Sequence, residues 1–321
     1  MSSLNDFLRE RARSRRLTDG KEYWLIAGDA INEASISFGI PVRTVELTAL
    51  ESGLVPARYA QNIPDLGFEG QKKMLQSCVA VVGAGGLGGY VCELLARLGV
   101  GRLIVIDGDS FEETNLNRQI YCTQSDLGKP KAEVAVRRIR GINESVDVEG
   151  IVAFATEETL PDLIKGADVL IDCVDSGQAR LMLQKVCGNL GIPMVHGALG
   201  GFIGRVMSVW PGDLGVRAFY EGAETDTSTG HARAFRSAPS ERVGIRANPY
   251  SYTGPLVGSP AVTPAAIAPW QVSEVLKIIT GKGSPLKNEV LVIDLLNGRA
   301  GVFPLWAIRV GRLANRFRGA R

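Results

Sequence analysis

Residues 81–119 read VVGAGGLGGYVCELLARLGVGRLIVIDGDSFEETNLNRQ, and the order of residue types in that stretch decides the fold. The apolar run CVAVVG leads directly into Gly83-x-Gly85-x-x-Gly88, and the apolar-periodic segment YVCELLARLG comes next. Strand, glycine turn and helix form a phosphate-gripping unit. The first glycine permits the tight turn, the second lets backbone N–H groups approach phosphate oxygens, and the third lets helix and strand pack closely. The start of the helix adds unpaired donors and partial positive charge. Asp107 ends the next strand, RLIVID, nineteen residues after Gly88. A carboxylate placed there accepts hydrogen bonds from ribose hydroxyls. This much predicts a bound nucleotide without separating NAD from ATP.

The pattern continues on both sides. After RLIVID come a helix over 131–140, the strand VDVEGIVA, the helix ETLPDLIKG and the strand DVLIDCVD. The helix ARLMLQKVCGNLG and the strand PMVHGAL complete this series. Strands alternating with helices predict a Rossmann-like, doubly wound, mostly parallel sheet in the α/β class. Beyond Gly200, RVMSVWPG alternates as an antiparallel strand does, and a polar stretch spans 221–257. A helix PWQVSEVLKIITG is expected with Pro269 in its first turn and Gly281 at its end. The strand EVLVIDLL would close an antiparallel C-terminal extension. The segment before Ser77 reads as helical, from Leu4 and Leu8 to VRTVELTALESG at 42–53. EASISFGIPVRTVELTAL superficially resembles a DNA-reading helix pair, yet two helices about a glycine turn are common packing.

The choice of nucleotide rests on the residues just past the second strand. Asn115, Asn117, Arg118 and Gln119 are joined by Lys131 in GKPK. Hydride transfer has no use for this set. Folded over the glycine turn, Arg118 offers a planar fork and Lys131 a movable point charge to a triphosphate. That suits a reaction in which charge builds on departing pyrophosphate. Asp172 and Asp175 close the fourth strand, where ligands of open α/β sheets lie. A carboxylate there suits Mg²⁺, which takes one or two carboxylates beside phosphate oxygens and water.

GAGGLG at 83–88, DGDSFEETNLNRQ at 107–119, GKPKAEVA at 128–135 and IDCVDSGQAR at 171–180 closely resemble the ThiF/MoeB/HesA family, prokaryotic relatives of ubiquitin-activating enzymes. QVSEVLKII at 271–279 resembles that family's late helix. The resemblance covers about Ala57 to the C-terminus and implies one adenylation domain over 57–321, with a crossover loop at about 221–257, which leaves residues 1–56 as a helical N-terminal extension. It implies ATP and Mg²⁺ as cofactors and a small ubiquitin-like sulfur carrier ending in Gly-Gly as partner. The carrier's glycine carboxylate would be activated as an acyl-adenylate for sulfur transfer in molybdopterin or thiamine biosynthesis, usually by a homodimer. By position, Asp107 would hold the ribose, Asn115 and Arg118 the phosphates, and Lys131 the β- and γ-phosphates. Asp175 would hold Mg²⁺, and Gly83, Gly85, Gly86 and Gly88 would back the nucleotide, with Asp109 and Gln119 in the same binding set. Alternatives are a carboxylate on a modified tRNA nucleoside or a peptide as acceptor, and a non-catalytic nucleotide-binding scaffold.

The chain also departs from the family. No Cys-x-x-Cys pair is present, so no zinc is expected, and residues 221–257 contain no cysteine to act as a nucleophile. In RYAQN at 58–62, Gln61 stands where the family has a second arginine that often reaches the partner's ATP. Either Arg58 or one of Arg233, Arg236, Arg242 and Arg246 replaces it, or the site has lost one phosphate contact.

Composition sets the outer bounds. A net charge of +2 is too small to imply a polyanion partner, and the arginines crowded at both ends read as solvated faces. No apolar run approaches the roughly 20 residues that cross a bilayer. Cys78, Cys92, Cys122, Cys173 and Cys187 read as reduced core thiols of a cytoplasmic protein. His196 reads as a hydrogen-bonded packing residue.

Overall fold

The computed structural model describes residues 3–220, 225–226, 231–232 and 258–309. The chain opens with helix α1 (Leu4–Arg11), whose first turn is closed by a reciprocal cap between Ser3 and Asp6. Strands β1 (Arg13–Arg16) and β2 (Glu22–Ile26), helices α2 (Gly28–Phe38) and α3 (Val42–Glu51), and strand β3 (Leu54–Pro56) come next. The strands form a small sheet in the order β1-β2-β3. The three helices bury Leu8, Ile31, Ala34, Val45 and Ala49 against one another. This segment is therefore helical as expected, with a sheet added. RSRR carries no apolar alternation and β3 is only three residues long, so neither gives a strand signal.

Helix α4 (Ile63–Gln76) leads into β4 (Cys78–Val82), every residue of which is buried. There follow α5 (Gly86–Leu98), β5 (Arg102–Ile106), α6 (Lys131–Ile142), β6 (Asp147–Ile151), α7 (Leu160–Leu163), β7 (Val169–Asp172), α8 (Gly177–Leu190), β8 (Met194–Gly200), β9 (Ile203–Val209) and α9 (Arg217–Tyr220). A short antiparallel pair, β10 (Thr225–Asp226) and β11 (His231–Ala232), is all that is described of the expected crossover loop; the rest of that loop, its arginines included, lies outside the described residues. Helix α10 (Val262–Thr280) and strands β12 (Glu289–Asp294) and β13 (Arg299–Pro304) complete the main sheet, ordered β13-β12-β9-β8-β7-β4-β5-β6. Strands β8, β7, β4, β5 and β6 run parallel, and the other three join antiparallel.

Both faces are covered. Val91 and Leu95 of α5, Val134 and Ile139 of α6, and Ile267, Val272 and Val275 of α10 pack on one face. Leu160, Leu183, Val186 and Tyr220 pack on the other. The first parallel strand, β4, has β5 on one side and β7 on the other, so the chain reverses direction across the sheet there. That reversal opens a crevice at the carboxyl ends, where ligands of such sheets bind. Among the described residues no helix is long and apolar enough to cross a membrane.

Two expectations near the end of the chain are corrected. Pro269 lies inside α10, which begins seven residues earlier at Val262. A proline there loses the N–H that would bond four residues back and crowds that carbonyl, and packing of α10 on α5 carries the helix through. The sheet also does not close at β12. Asn297 and Gly298 turn the chain into β13, with Gly298 at φ 62. An Asn-Gly step between two apolar runs is a strong hairpin signal.

Candidate active site

The glycine turn sits at the carboxyl end of β4. Gly83 has φ 95, and a side chain there would come within 2.6 Å of the Cys173 carbonyl oxygen, so the turn rests directly on the chain leaving β7. A Cβ on Gly88 would lie 1.8 Å from the Gly83 carbonyl oxygen. Asp107 fixes the turn from the β5 side. One carboxylate oxygen accepts the Ala84 N–H at 2.6 Å and the other accepts the Asp109 N–H at 2.8 Å. Each oxygen keeps further lone-pair capacity for a hydroxyl donor.

The segment after Asp107 folds back over the start of α5. Gln119 is buried, with its amide nitrogen 3.5 Å from where a side chain on Gly85 would begin. Among the described residues its amide oxygen has no hydrogen-bond partner. The Arg118 stem passes 3.9 Å from the equivalent point on Gly86, opposite Pro264 of α10. The half-buried Arg118 guanidinium donates to the Thr114 carbonyl at 2.9 Å and to Asn117 Oδ1 at 2.8 Å. Asn115 is buried and its Oδ1 accepts the Glu112 N–H at 3.1 Å, while its NH₂ has only a long 3.4 Å contact to Thr114.

Lys131 opens α6 and is 7% exposed, with its ammonium 3.0 Å from Asp109 Oδ2. Its backbone N–H donates to the Asp109 carbonyl at 2.9 Å. Asp109 is itself more than half exposed. Asp175 lies in the turn after β7, exposed, and forms no hydrogen bond with another described residue. The fold thus gathers Gly83, Gly85, Gly86, Gly88, Asp107, Arg118 and Gln119 about one turn. Lys131 and Asp109 lie beside Asp107, and Asp175 lies two residues past the backbone that touches Gly83. Among the described residues no three His, Cys, Asp or Glu side chains cluster as a metal site.

Arg58 is not available to replace the arginine missing at Gln61 within its own chain. It donates to Asn143 and to Glu144, and its Nε lies 3.5 Å from the buried Glu46. Asn143 and Glu144 sit just past the end of α6, whereas Lys131 sits at its start. A rise of 1.5 Å per residue over this 12-residue helix puts the two ends about 18 Å apart. Tyr59 beside it donates to Glu46 at 3.1 Å and packs on Gly99, so RY joins the first three helices to the main sheet.

A buried polar cluster under the Asp175 turn has no signature in the sequence. Arg180 donates to the Val174 carbonyl and to the Tyr220 hydroxyl, both at 2.6 Å, and its Nε lies 3.7 Å from Asp172. Arg205 also donates to the Tyr220 hydroxyl, at 2.9 Å. His196 is fully buried with Nδ1 2.6 Å from Asp172 Oδ2, the hydrogen-bonded packing role expected of it. Burial pushes its imidazole down to about 4, against the pull of Asp172. The unfolded ring takes up a proton near pH 6.5 and the native ring only near 4, so stability falls as pH drops through that window. At pH 5 the contribution is about 2 kcal/mol. Denaturant unfolding of the wild type and of His196→Gln at pH 7 and pH 5 measures it. The wild type should lose about that much more than the variant, and equal losses would exclude His196 as the source.

All five cysteines are free thiols. Burial pushes Cys92 and Cys187 up to about 12, and Cys173 well above its ordinary value, so none of these three is a thiolate nucleophile at neutral pH.

A glycine turn at the switch point of a doubly wound sheet, roofed by an arginine and flanked by a buried lysine, is the arrangement of a nucleotide-binding α/β protein. Residues 58–309 match the ThiF family, and the chain belongs to it, as an adenylyltransferase of the ThiF/MoeB/HesA kind. It is 34% identical over 243 residues to the SAMP-activating enzyme E1 of Haloferax volcanii, covering 75% of this chain and 82% of that one. It is 32% identical over 240 residues to the sulfur carrier protein adenylyltransferase of Thermus thermophilus, covering 73% and 80%. The sulfur carrier protein ThiS adenylyltransferase of Bacillus subtilis is 40% identical over 149 residues, which span 46% of this chain and only 44% of that one. Among solved structures, Escherichia coli MccB with ATP superposes with a TM-score of 0.61 at 22% identity, covering 86% and 82%, a likeness of fold. The E. coli tRNA N6-threonylcarbamoyladenosine dehydratase TcdA gives 0.54 at 25% identity, covering 70% and 95%.

Proposed function

We propose that this adenylyltransferase binds ATP at the glycine turn and activates the C-terminal glycine carboxylate of a small ubiquitin-like sulfur carrier. One observation carries the reading: Arg118 and Gln119 lie across Gly85 and Gly86, while Lys131 is buried at the neighbouring helix start. In the free chain both cations rest on weak or exposed acceptors, the Thr114 carbonyl, Asn117 and Asp109, which a triphosphate replaces. Asp107 takes the ribose, and the loosely held NH₂ of Asn115 and the Arg118 fork take phosphate oxygens.

The carrier carboxylate is ionised at neutral pH and needs no general base. It attacks the α-phosphorus in line. The new bond joins carboxylate oxygen to phosphorus, and the α–β bridging bond breaks with its electron pair leaving on pyrophosphate. Lys131 and Arg118 neutralise that growing charge from fixed positions, which costs no reorganisation during the step. A single exposed carboxylate fits Mg²⁺, which keeps most of its shell from phosphates and water. Asp175 would hold it, and the ion would supply further neutralisation of the phosphates.

The relatives named for sulfur-carrier and SAMP activation support this class of acceptor. In this reading residues 57–321 form the adenylation domain, residues 1–56 an extension, two copies associate, and the five thiols suit a reducing cytoplasm. The expected result is exchange of labelled pyrophosphate into ATP that depends on a carrier ending in Gly-Gly. A folded chain without exchange on any co-encoded carrier contradicts the acceptor. The likeness to TcdA favours one second reading, a carboxylate on a modified tRNA nucleoside. Absence of tRNA binding at low salt, where basic contacts are strongest, excludes it.

A further inference from the structure

Asp175 is exposed and forms no hydrogen bond with another described residue, so its place is set by the chain on either side of it. Ahead of it, the Cys173 N–H donates to the Val82 carbonyl at 2.9 Å and the Val174 N–H to Asp172 Oδ1 at 3.1 Å. The Val174 carbonyl accepts from Arg180 at 2.6 Å. Behind it, the Ser176 hydroxyl accepts the Ala179 N–H at 3.1 Å and caps α8. Gly177 then lies against the Tyr220 ring, where an added Cβ would come 2.8 Å from ring carbon Cδ1. Two of these restraints, one on each side of Asp175, lead back to Tyr220.

Arg180 is buried. Among the described residues its guanidinium has two hydrogen-bond acceptors, the Val174 carbonyl and the Tyr220 hydroxyl. Its Nε has none, and both oxygens of the nearby Asp172 are engaged, one by Val174 and one by His196. A planar fork on two acceptors is held in one orientation, whereas on one acceptor it can turn about the remaining bond. The Tyr220 hydroxyl is itself fixed, because Arg205 of β9 donates to it at 2.9 Å. We infer that Tyr220 is a positioning residue for the Asp175 carboxylate. Through Arg180 and Gly177 it holds residues 174–177 on both sides of the acid, and so sets how well the site takes ATP with a divalent cation rather than ATP alone. A ring alone would serve for packing. A hydroxyl shared by two arginines, one of them fastened to the residue before Asp175, is what assigns the role.

This rests on Asp175 as the cation's carboxylate in the proposed site, so ATP is titrated into the full chain in excess Mg²⁺ and, separately, in EDTA. Wild type should bind ATP more tightly with Mg²⁺, and Asp175→Asn should lose that gain. Failure of either overturns the cation site and the inference together. Tyr220→Phe keeps the ring on Gly177 and removes only the hydroxyl. It should weaken binding with Mg²⁺ by about tenfold, the order for loss of a group that orients a metal ligand, and leave binding in EDTA unchanged. In the Asp175→Asn background the same change should cost nothing further, since the carboxylate it positions is gone. Where Tyr220→Phe does not fold, Arg180→Lys carries the same test, because a single ammonium does not reproduce the two-armed grip. Three results overturn the inference while leaving the cation site standing: full Mg²⁺-dependent affinity in Tyr220→Phe, an equal loss in EDTA, or a further loss on top of Asp175→Asn.

Discussion

Replacing Lys131 with methionine is expected to lower adenylate formation by about 100- to 1,000-fold, the cost of removing one preorganised donor from a developing charge. The fold should survive. The Lys131 side chain is 9% exposed, but its partner Asp109 is 55% exposed and stays hydrated when the ammonium is gone. Loss of such a half-exposed pair costs about 1 kcal/mol or less. Methionine fills the same stem at the start of α6, so packing against the helix is kept. Charge on the leaving pyrophosphate is greater in the transition state than in bound ATP, so kcat should fall more than KM rises. Single-turnover formation of the carrier adenylate measures the effect, with the thermal midpoint recorded in parallel. A kcat within a few-fold of wild type would show that Lys131 merely braces Asp109.

Gly88→Ala should have the largest effect on the fold. The added carbon would lie 1.8 Å from the Gly83 carbonyl oxygen, a backbone atom that cannot rotate aside. The turn must open or α5 must move off β4, and either change also separates the N–H groups meant for phosphate. Overpacking of this kind costs about 3 kcal/mol. For a chain of this size that is a fall of roughly 10 °C or less in thermal midpoint. ATP binding should be lost as well. Gly85→Ala is the contrast. Its nearest neighbours are Gln119 side-chain atoms at 3.5–3.7 Å, ordinary van der Waals contact. That variant should fold normally and lose ATP affinity alone, since its methyl group occupies the approach to the phosphates. Equal midpoints for Gly88→Ala and wild type would refute the close packing of turn and helix.

The parallel half of the sheet is legible in the sequence because each strand is a short apolar run and each helix a separate periodic segment. The site is legible where its residues are close in sequence. Asn115 to Gln119 come after Asp107 within one loop, so their closure over the glycines can be read directly. The Asp172, Arg180, His196, Arg205 and Tyr220 cluster cannot be read that way. Its members come from five places in the chain, and only the sheet register, which pairs Asp172 with His196, brings them together. Arg58 shows the same limit from the other side. Its sequence neighbourhood matches an ATP-reaching arginine, but Glu46 and Glu144, far from it in sequence, hold its charge. The edge strand β13 has a readable Asn-Gly signal ahead of it, whereas β1 has none. Pro269 suggests a helix start because proline favours first turns, and burial of α10 against α5 overrides that preference.

In the proposed site two cations change partners when the nucleotide arrives. A crystal structure of the chain with a non-hydrolysable ATP analogue should show the Arg118 guanidinium off the Thr114 carbonyl and the Lys131 ammonium off Asp109. Both should lie on phosphate oxygens, with the ribose on Asp107. Triphosphate density lodged elsewhere, with Arg118 still on Thr114 and Lys131 still on Asp109, would contradict the proposed site.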